Sequence, residues 1–293
     1  MNEFKDIRDD QIRIIGEGDQ KRPLQRKVWI IIIATTIIIA AVVSIIAFFK
    51  SKHGELSAVI PEPALFEPEP TPEPVQRKWL GREIDPSQEG FTEIRDTLIN
   101  DIPIRIFIPH NAEMSLHIGK MDKTDKSVIY VAQAADIRAD NGGIVGAFVL
   151  KGEPRAWGLS KRGFCASING VVTVGVAENS PLFEQATEEG GYFFRQYPLV
   201  SNGELIDNEP KGKSIRRAIC DRQGEIFMVE TLTTESFHDF AQALADLQID
   251  NAIYLVGTKS FGFYRDYQQA LHIIYPHPGD AFQNENYLLW CTK

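Results

Sequence analysis

Between Glu189 and Cys220 the sequence EGGYFFRQYPLVSNGELIDNEPKGKSIRRAIC concentrates side chains able to do chemistry. Arg195 and Arg216 carry planar guanidinium forks, which match the oxygens of a phosphate or carboxylate two at a time, and Lys259 offers a third cation further on. Glu189 and Asp221 stand beside the arginines in the chain, with Asp136, Glu230 and Asp266 as further acids, and a facing pair of such groups could serve as general acid and base. Gly190 and Gly191 let the backbone approach a ligand closely or take φ > 0, and Tyr192, Phe193 and Phe194 form an aromatic wall suited to a sugar ring or to a core. Structural readings compete with these. Gly-Gly-aromatic runs also form bulged core strands, and arginines also form ordinary salt bridges.

Other chemistries find little support. Cys165, Cys220 and Cys291 show no C-x-x-C spacing and the histidines are scattered, so no metal and no cofactor is expected, and no Ser-His-Asp order stands out. Buried, inert thiols are the default expectation. There is neither a P-loop nor a dinucleotide fingerprint. With a net charge of −9 and no basic stripe, nucleic acid is not an expected partner.

The elements that must hold these side chains follow from periodicity and turns. Asn202-Gly203 predicts a hairpin between Tyr197–Val200 and Glu204–Ile206, and Asp221 to Gly224 a second turn before the strand Glu225–Glu230. Pro103–Pro109 alternates as a strand, Val128–Val131 and Gly143–Leu150 are extended, and Phe164–Val176 turns at Asn169-Gly170. Phe91–Asn100 reads as a short helix and Pro181–Glu189 as another, capped by Ser180. Ser236–Leu247 carries Phe237, Phe240, Ala241, Leu244 and Leu247 at helical spacing, with His238 on the solvent side. Ala252–Val256 is then a buried strand, giving the order strand, helix, strand, and a last strand is expected near the terminal LLWC.

Three successive motifs resemble the phosphodiester glycosidase family. The family's Asn-Gly-Gly-Phe-Phe element is similar to Glu189-Gly190-Gly191-Tyr192-Phe193, followed by a Leu-Val-x-x-Gly hairpin at Leu199 to Gly203. Its Arg-x-Ala-hydrophobic-Gly strand and Asp-x-x-Gly turn are similar to Arg216 to Cys220 and Asp221 to Gly224, and its late Asn-Ala element to Asn251 to Ser260. The resemblance covers roughly the last half of the chain. It implies a glycosyl phosphodiester as substrate, with Glu189 and Asp221 as catalytic candidates and Gly190, Gly191, Tyr192, Arg195, Arg216, Gly257, Lys259 and Ser260 as substrate-binding candidates. Such an enzyme must stabilise a departing phosphate and an oxocarbenium-like carbon, tasks for cations and carboxylates respectively. The sequence departs from the family at Glu189, at Cys220 and at Val256, which replaces an Asp; that last change favours a non-catalytic glycan- or protein-binding descendant as the alternative.

Along the whole chain of 293 residues the composition is partitioned. Residues 1–27 are polar and mixed in charge, a short cytoplasmic tail. Val28 to Phe49 is uncharged and long enough, at about 1.5 Å per residue, to cross a hydrocarbon layer of roughly 30 Å as a transmembrane helix. Lys21, Arg22, Arg26 and Lys27 outweigh Lys50 and Lys52, which predicts a cytoplasmic N-terminus and an extracytoplasmic C-terminal domain facing the cell envelope. Residues 50–77 include PEPALFEPEPTPEP, a Pro/Glu-rich spacer expected to extend as polyproline II. Residues 78–293 are the globular part. The expected fold is α+β, a strand-rich mixed sheet with a few packing helices, preceded by one transmembrane helix, with the lipid bilayer and a carbohydrate phosphodiester as partners.

Overall fold

The computed structural model describes residues 84–277 and 284–293. Its first element corrects the sequence reading. Phe91–Ile99 (β1) is a strand rather than a helix, paired along its whole length with Ile102–His110 (β2), from Phe91 opposite His110 to Ile99 opposite Ile102. Thr92, Ile94, Thr97 and Ile99 are β-branched, and Asn100 and Asp101 both take positive φ, 50° and 62°, the reversal whose twist suits a hairpin.

The chain continues through Ala112–Ile118 (β3), Val128–Gln133 (β4), Ala147–Leu150 (β5), Glu153–Trp157 (β6), Gly163–Ile168 (β7) and Val171–Val176 (β8). Leu182–Glu188 is helix α1. Then come Tyr192–Gln196 (β9), Pro198–Ser201 (β10), Glu204–Leu205 (β11), Arg217–Arg222 (β12) and Glu225–Thr231 (β13). Helix α2, Phe237–Asp246, leads to Asn251–Leu255 (β14), Gly262–Arg265 (β15), Leu271–Tyr275 (β16) and Asn286–Thr292 (β17).

These strands form a seven-stranded sheet in the order β1-β2-β13-β12-β14-β10-β11 and two five-stranded sheets, β16-β15-β4-β17-β3 and β6-β5-β9-β7-β8. Every strand pairing is antiparallel, so the expected mixed sheet is replaced by three antiparallel ones. The strand-helix-strand order is present, but β13 and β14 are not neighbours: each pairs antiparallel with β12, which lies between them.

Strand alternation distributes the core. From β12 and β14, Ala218, Cys220, Ala252 and Tyr254 face α2, whose buried stripe is Phe237, Phe240, Ala241 and Leu244. Ser236 caps that helix, its hydroxyl accepting from Asp239 N at 3.0 Å. On the other face Ile219, Ile253 and Leu255 join Tyr130, Leu288 and Trp290 of the second sheet and Phe148 and Phe194 of the third in one interior. Helix α1 covers the outer side of the third sheet, Ala186 packing among Val149, Phe164 and Phe193. Its N-cap position is Pro181, one residue beyond the expected Ser180, whose hydroxyl still accepts from Leu182 N at 3.3 Å.

All three thiols are free, Cys165 and Cys220 fully buried with burial pushing their pKa values well up. Among the described residues no helix is long and apolar enough to cross a membrane, and the expected tail, span and spacer lie outside those residues.

Candidate functional site

The third motif ends in a turn that leaves β14 and is pinned from several sides. Val256 N donates to Gln133 O at 3.1 Å, Thr258 N to Ile215 O at 3.2 Å, and Gly257 N to the Tyr254 hydroxyl at 3.1 Å. A Cβ on Gly257 would lie 2.1 Å from Ile215 O, so only glycine permits that approach. Lys259 takes a positive φ of 62°, its side chain is exposed, and Ser260 turns inward, 5% exposed.

Beneath the turn lies a buried ion pair. Arg217 Nε donates to Glu230 Oε2 at 2.7 Å and its Nη2 bonds the same oxygen, while Nη1 donates to Ser260 Oγ at 3.2 Å and Val256 O at 3.3 Å. Burial works against the guanidinium's charge, but the Glu230 carboxylate together with Tyr130 and Tyr254 outweighs it and the Arg217 pKa is raised. The pair therefore acts as a clamp on the turn's main chain and on Ser260. The neighbouring Tyr130 hydroxyl is buried with no hydrogen-bond partner among the described residues, and desolvation pushes its pKa up.

Above the turn a cleft of about 420 Å³ opens between residues 133–139, the turn and the start of β17. Its apolar surface comes from Ile137, Val256, Phe261 and Tyr287, and two carboxylates and two cations reach it: Asp136, Glu285, Arg138 and Lys259. Asp136 is ion-paired with Lys161, whose Nζ also donates to Gln196 Oε1 at 2.9 Å and lies 4.2 Å from the Tyr197 ring centroid. Burial lowers the Lys161 pKa, with Asp136 opposing that shift. Glu285 Oε2 accepts from the Tyr287 hydroxyl at 3.0 Å and pairs with His277 Nε2 at 2.9 Å. The side chains of Arg138 and Lys259 are exposed and make no hydrogen bond or ion pair among the described residues.

The residues singled out from sequence divide between this region and others. Gly257, Lys259 and Ser260 belong to the turn. Arg216 is adjacent in sequence to the clamp but faces α2: its Nε donates to Glu235 O at 2.8 Å, its Nη2 to Gly212 O at 2.7 Å, and its guanidinium lies 4.1 Å from the Phe237 ring centroid. Arg195 is spent on the carbonyl oxygens of Lys161, Ala177 and Glu178 at 2.8–3.2 Å. Glu189 accepts from Asn169 Nδ2 at 2.6 Å and Gln185 Nε2 at 2.9 Å at the exposed end of α1. Asp221 accepts from Gly224 N at 2.9 Å within its turn; burial raises its pKa, Gly224 works against that, and Asp250 adds to it. Among the described residues no hydrogen bond or ion pair joins Glu189 to Asp221, or either to the Val256–Phe261 turn.

Gly190 and Gly191 end α1. Gly190 has φ 72°, Gly191 N donates to Ala186 O at 2.7 Å, and a Cβ on Gly191 would lie 2.8 Å from Ser167 O, which is a helix stop followed by close strand packing. Tyr192 then opens β9 opposite Ser167. Of the other acids, Glu230 is in the clamp, Asp136 in the cleft, and Asp266 is hydrogen-bonded to His272, Ala270 and Gln268 in the turn before β16. Sequence reasoning misses Arg217, Lys161, Glu285 and the position of Arg138. Arg217 had a signal: a two-residue turn at Gln223-Gly224 sets it opposite Glu230.

The class defined by these elements is a strand-rich, three-sheet domain with a cleft at the Val256–Phe261 turn. No family model and no curated protein matches the sequence. Among solved structures the chain is similar to the catalytic domain of the zebrafish N-acetylglucosamine-1-phosphodiester alpha-N-acetylglucosaminidase, auto-inhibited by its pro-peptide. The TM-score is 0.49 and the identity 13%, over 72% of this chain and 85% of that one. It is also similar to a hypothetical protein from Synechocystis, with a TM-score of 0.46 and 11% identity, over 70% of this chain and 62% of that one.

Proposed function

We propose that the domain takes a glycosyl phosphodiester of the cell envelope into the cleft beside Val256–Phe261 and hydrolyses it, carried on a chain anchored in the membrane by residues 28–49. The observation behind this is the meeting of Asp136, Glu285, Arg138 and Lys259 over an apolar surface at the third motif. The cations, unpaired among the described residues, suit the phosphate, Val256, Phe261 and Tyr287 suit the apolar face of a sugar, and the carboxylates supply the two groups that glycoside cleavage requires. Asp136, next to the Lys161 ammonium, is assigned to the positive sugar carbon. Glu285, bonded to His277 and Tyr287, is assigned to proton exchange with the leaving oxygen. The reading relocates the chemistry from Glu189 and Asp221 to groups that share one cleft.

The non-catalytic descendant is the second reading, favoured by Val256, which puts an apolar side chain where the motif resemblance calls for Asp. Affinity and turnover of a chromogenic sugar phosphodiester on the purified full chain separate the two. Lys259→Ala should weaken binding by about 1–2 kcal/mol, and Asp136→Asn and Glu285→Gln should abolish turnover while leaving binding in place. Binding without turnover in the unmodified protein selects the non-catalytic reading; absence of both rejects the cleft as a phosphodiester site.

A further inference from the structure

On the far side of β9 from the cleft lies a second concavity. Strand alternation sends Gln196 toward Ala134 and Lys161 at the cleft, and Arg195 the other way, toward α1. Strand β6 is the edge of the third sheet, and Trp157 at its end is 68% exposed, with Leu159 just beyond it at 67%. These two side chains form one wall of a groove of about 440 Å³, and Pro181, Phe183 and Glu184 at the start of α1 form the other.

Arg195 also lines this groove and is 2% exposed. Its Nη1 and Nη2 are satisfied by carbonyl oxygens, and its Nε–H is buried away from the groove's surface with no acceptor among the described residues. Asn179 and Glu184 add an amide and a carboxylate to the same groove.

We infer that this groove is a carbohydrate-binding subsite, separate from the cleft, in which a pyranose ring stacks on Trp157 while its hydroxyls bond Glu184 and Asn179. An indole held open to solvent beside hydrogen-bonding groups fits the alternating apolar and hydroxylated faces of a sugar. The charge pattern selects a neutral ligand. Arg195 has both its Nη groups occupied by carbonyl oxygens, so an anion entering the groove meets the Glu184 carboxylate rather than a free cation. That repulsion also disfavours the chain's own Pro/Glu-rich segment, residues 61–74, as the occupant.

The test uses the full chain in a non-glycosidic detergent, with maltohexaose, cellohexaose and chitohexaose as probes, followed by tryptophan fluorescence and calorimetry. At least one hexaose should bind saturably with a blue shift in emission. Trp157→Ala should weaken that binding about tenfold or more with the melting temperature unchanged, since the side chain is exposed. Glu184→Gln should weaken it by a smaller factor, and Lys259→Ala, in the cleft, should leave it unchanged, so failure of the phosphodiester reading would not be mistaken for failure of this one. The inference is overturned if none of the three hexaoses binds, if Trp157→Ala binds as the unmodified chain does, or if a synthetic peptide of residues 61–74 occupies the groove instead.

Discussion

Arg216 and Arg217 are neighbours in sequence with opposite surroundings. Successive side chains along extended chain face opposite sides, so Arg216 lies on Phe237 of α2 while Arg217 enters the interior with Glu230. The motif resemblance points to Arg216, yet it is Arg217 that bonds Ser260 and the Val256 carbonyl. Arg217→Ala would leave Glu230 buried and unpaired, and the chain should lose about 3–5 kcal/mol in urea unfolding. Arg216→Ala removes hydrogen bonds to two carbonyls and a cation–π contact, and should cost less, about 1–3 kcal/mol. Replacing Arg217 with Met and Glu230 with Leu together should recover most of the larger loss. A smaller loss for Arg217→Ala than for Arg216→Ala would contradict the clamp.

At the scale of elements, the glycines of the first and third motifs do different work. Gly190 satisfies a backbone angle, and a Cβ there would meet nothing within 4 Å, so Gly190→Ala should cost only the positive-φ strain, about 1–2 kcal/mol. Gly257 satisfies a contact, and a Cβ there must push the turn away from Ile215. Gly257→Ala should therefore destabilise by about 1–3 kcal/mol and also weaken any ligand held by Lys259, because the whole turn shifts. Thermal melts and ligand titrations of both variants check this; a Gly190→Ala chain that lost ligand while Gly257→Ala kept it would exchange their roles. Two segments that the sequence predicts as helices show a similar contrast. The stripe and cap of α2 are legible in the sequence because they are local, whereas β1 reads as a helix until its pairing with β2 across Asn100-Asp101 is known.

For the molecule as a whole, the proposed anchoring gives the cleft and the groove a common setting outside the cytoplasm. The basic residues before Val28 outweigh those after Phe49, so protease added to spheroplasts should degrade the C-terminal domain and spare an N-terminal tag. Protection of the domain instead would reverse the orientation and remove envelope glycans as accessible ligands.

The sequence by itself determined the features whose causes lie within a few residues: the hairpins at Asn169-Gly170, Asn202-Gly203 and Gln223-Gly224, the strands flanking them, and the apolar face of α2. Their periodicity and turn chemistry are written in consecutive positions. Only the tertiary structure decided that the strands divide into three antiparallel sheets, that the Gly190-Gly191 stretch closes a helix, and that Asp136, Lys259 and Glu285 share a cleft. Those outcomes depend on which distant strand edges pair and on which face each strand turns to the common interior, and a one-residue change of register would move every side chain of a strand to the opposite side.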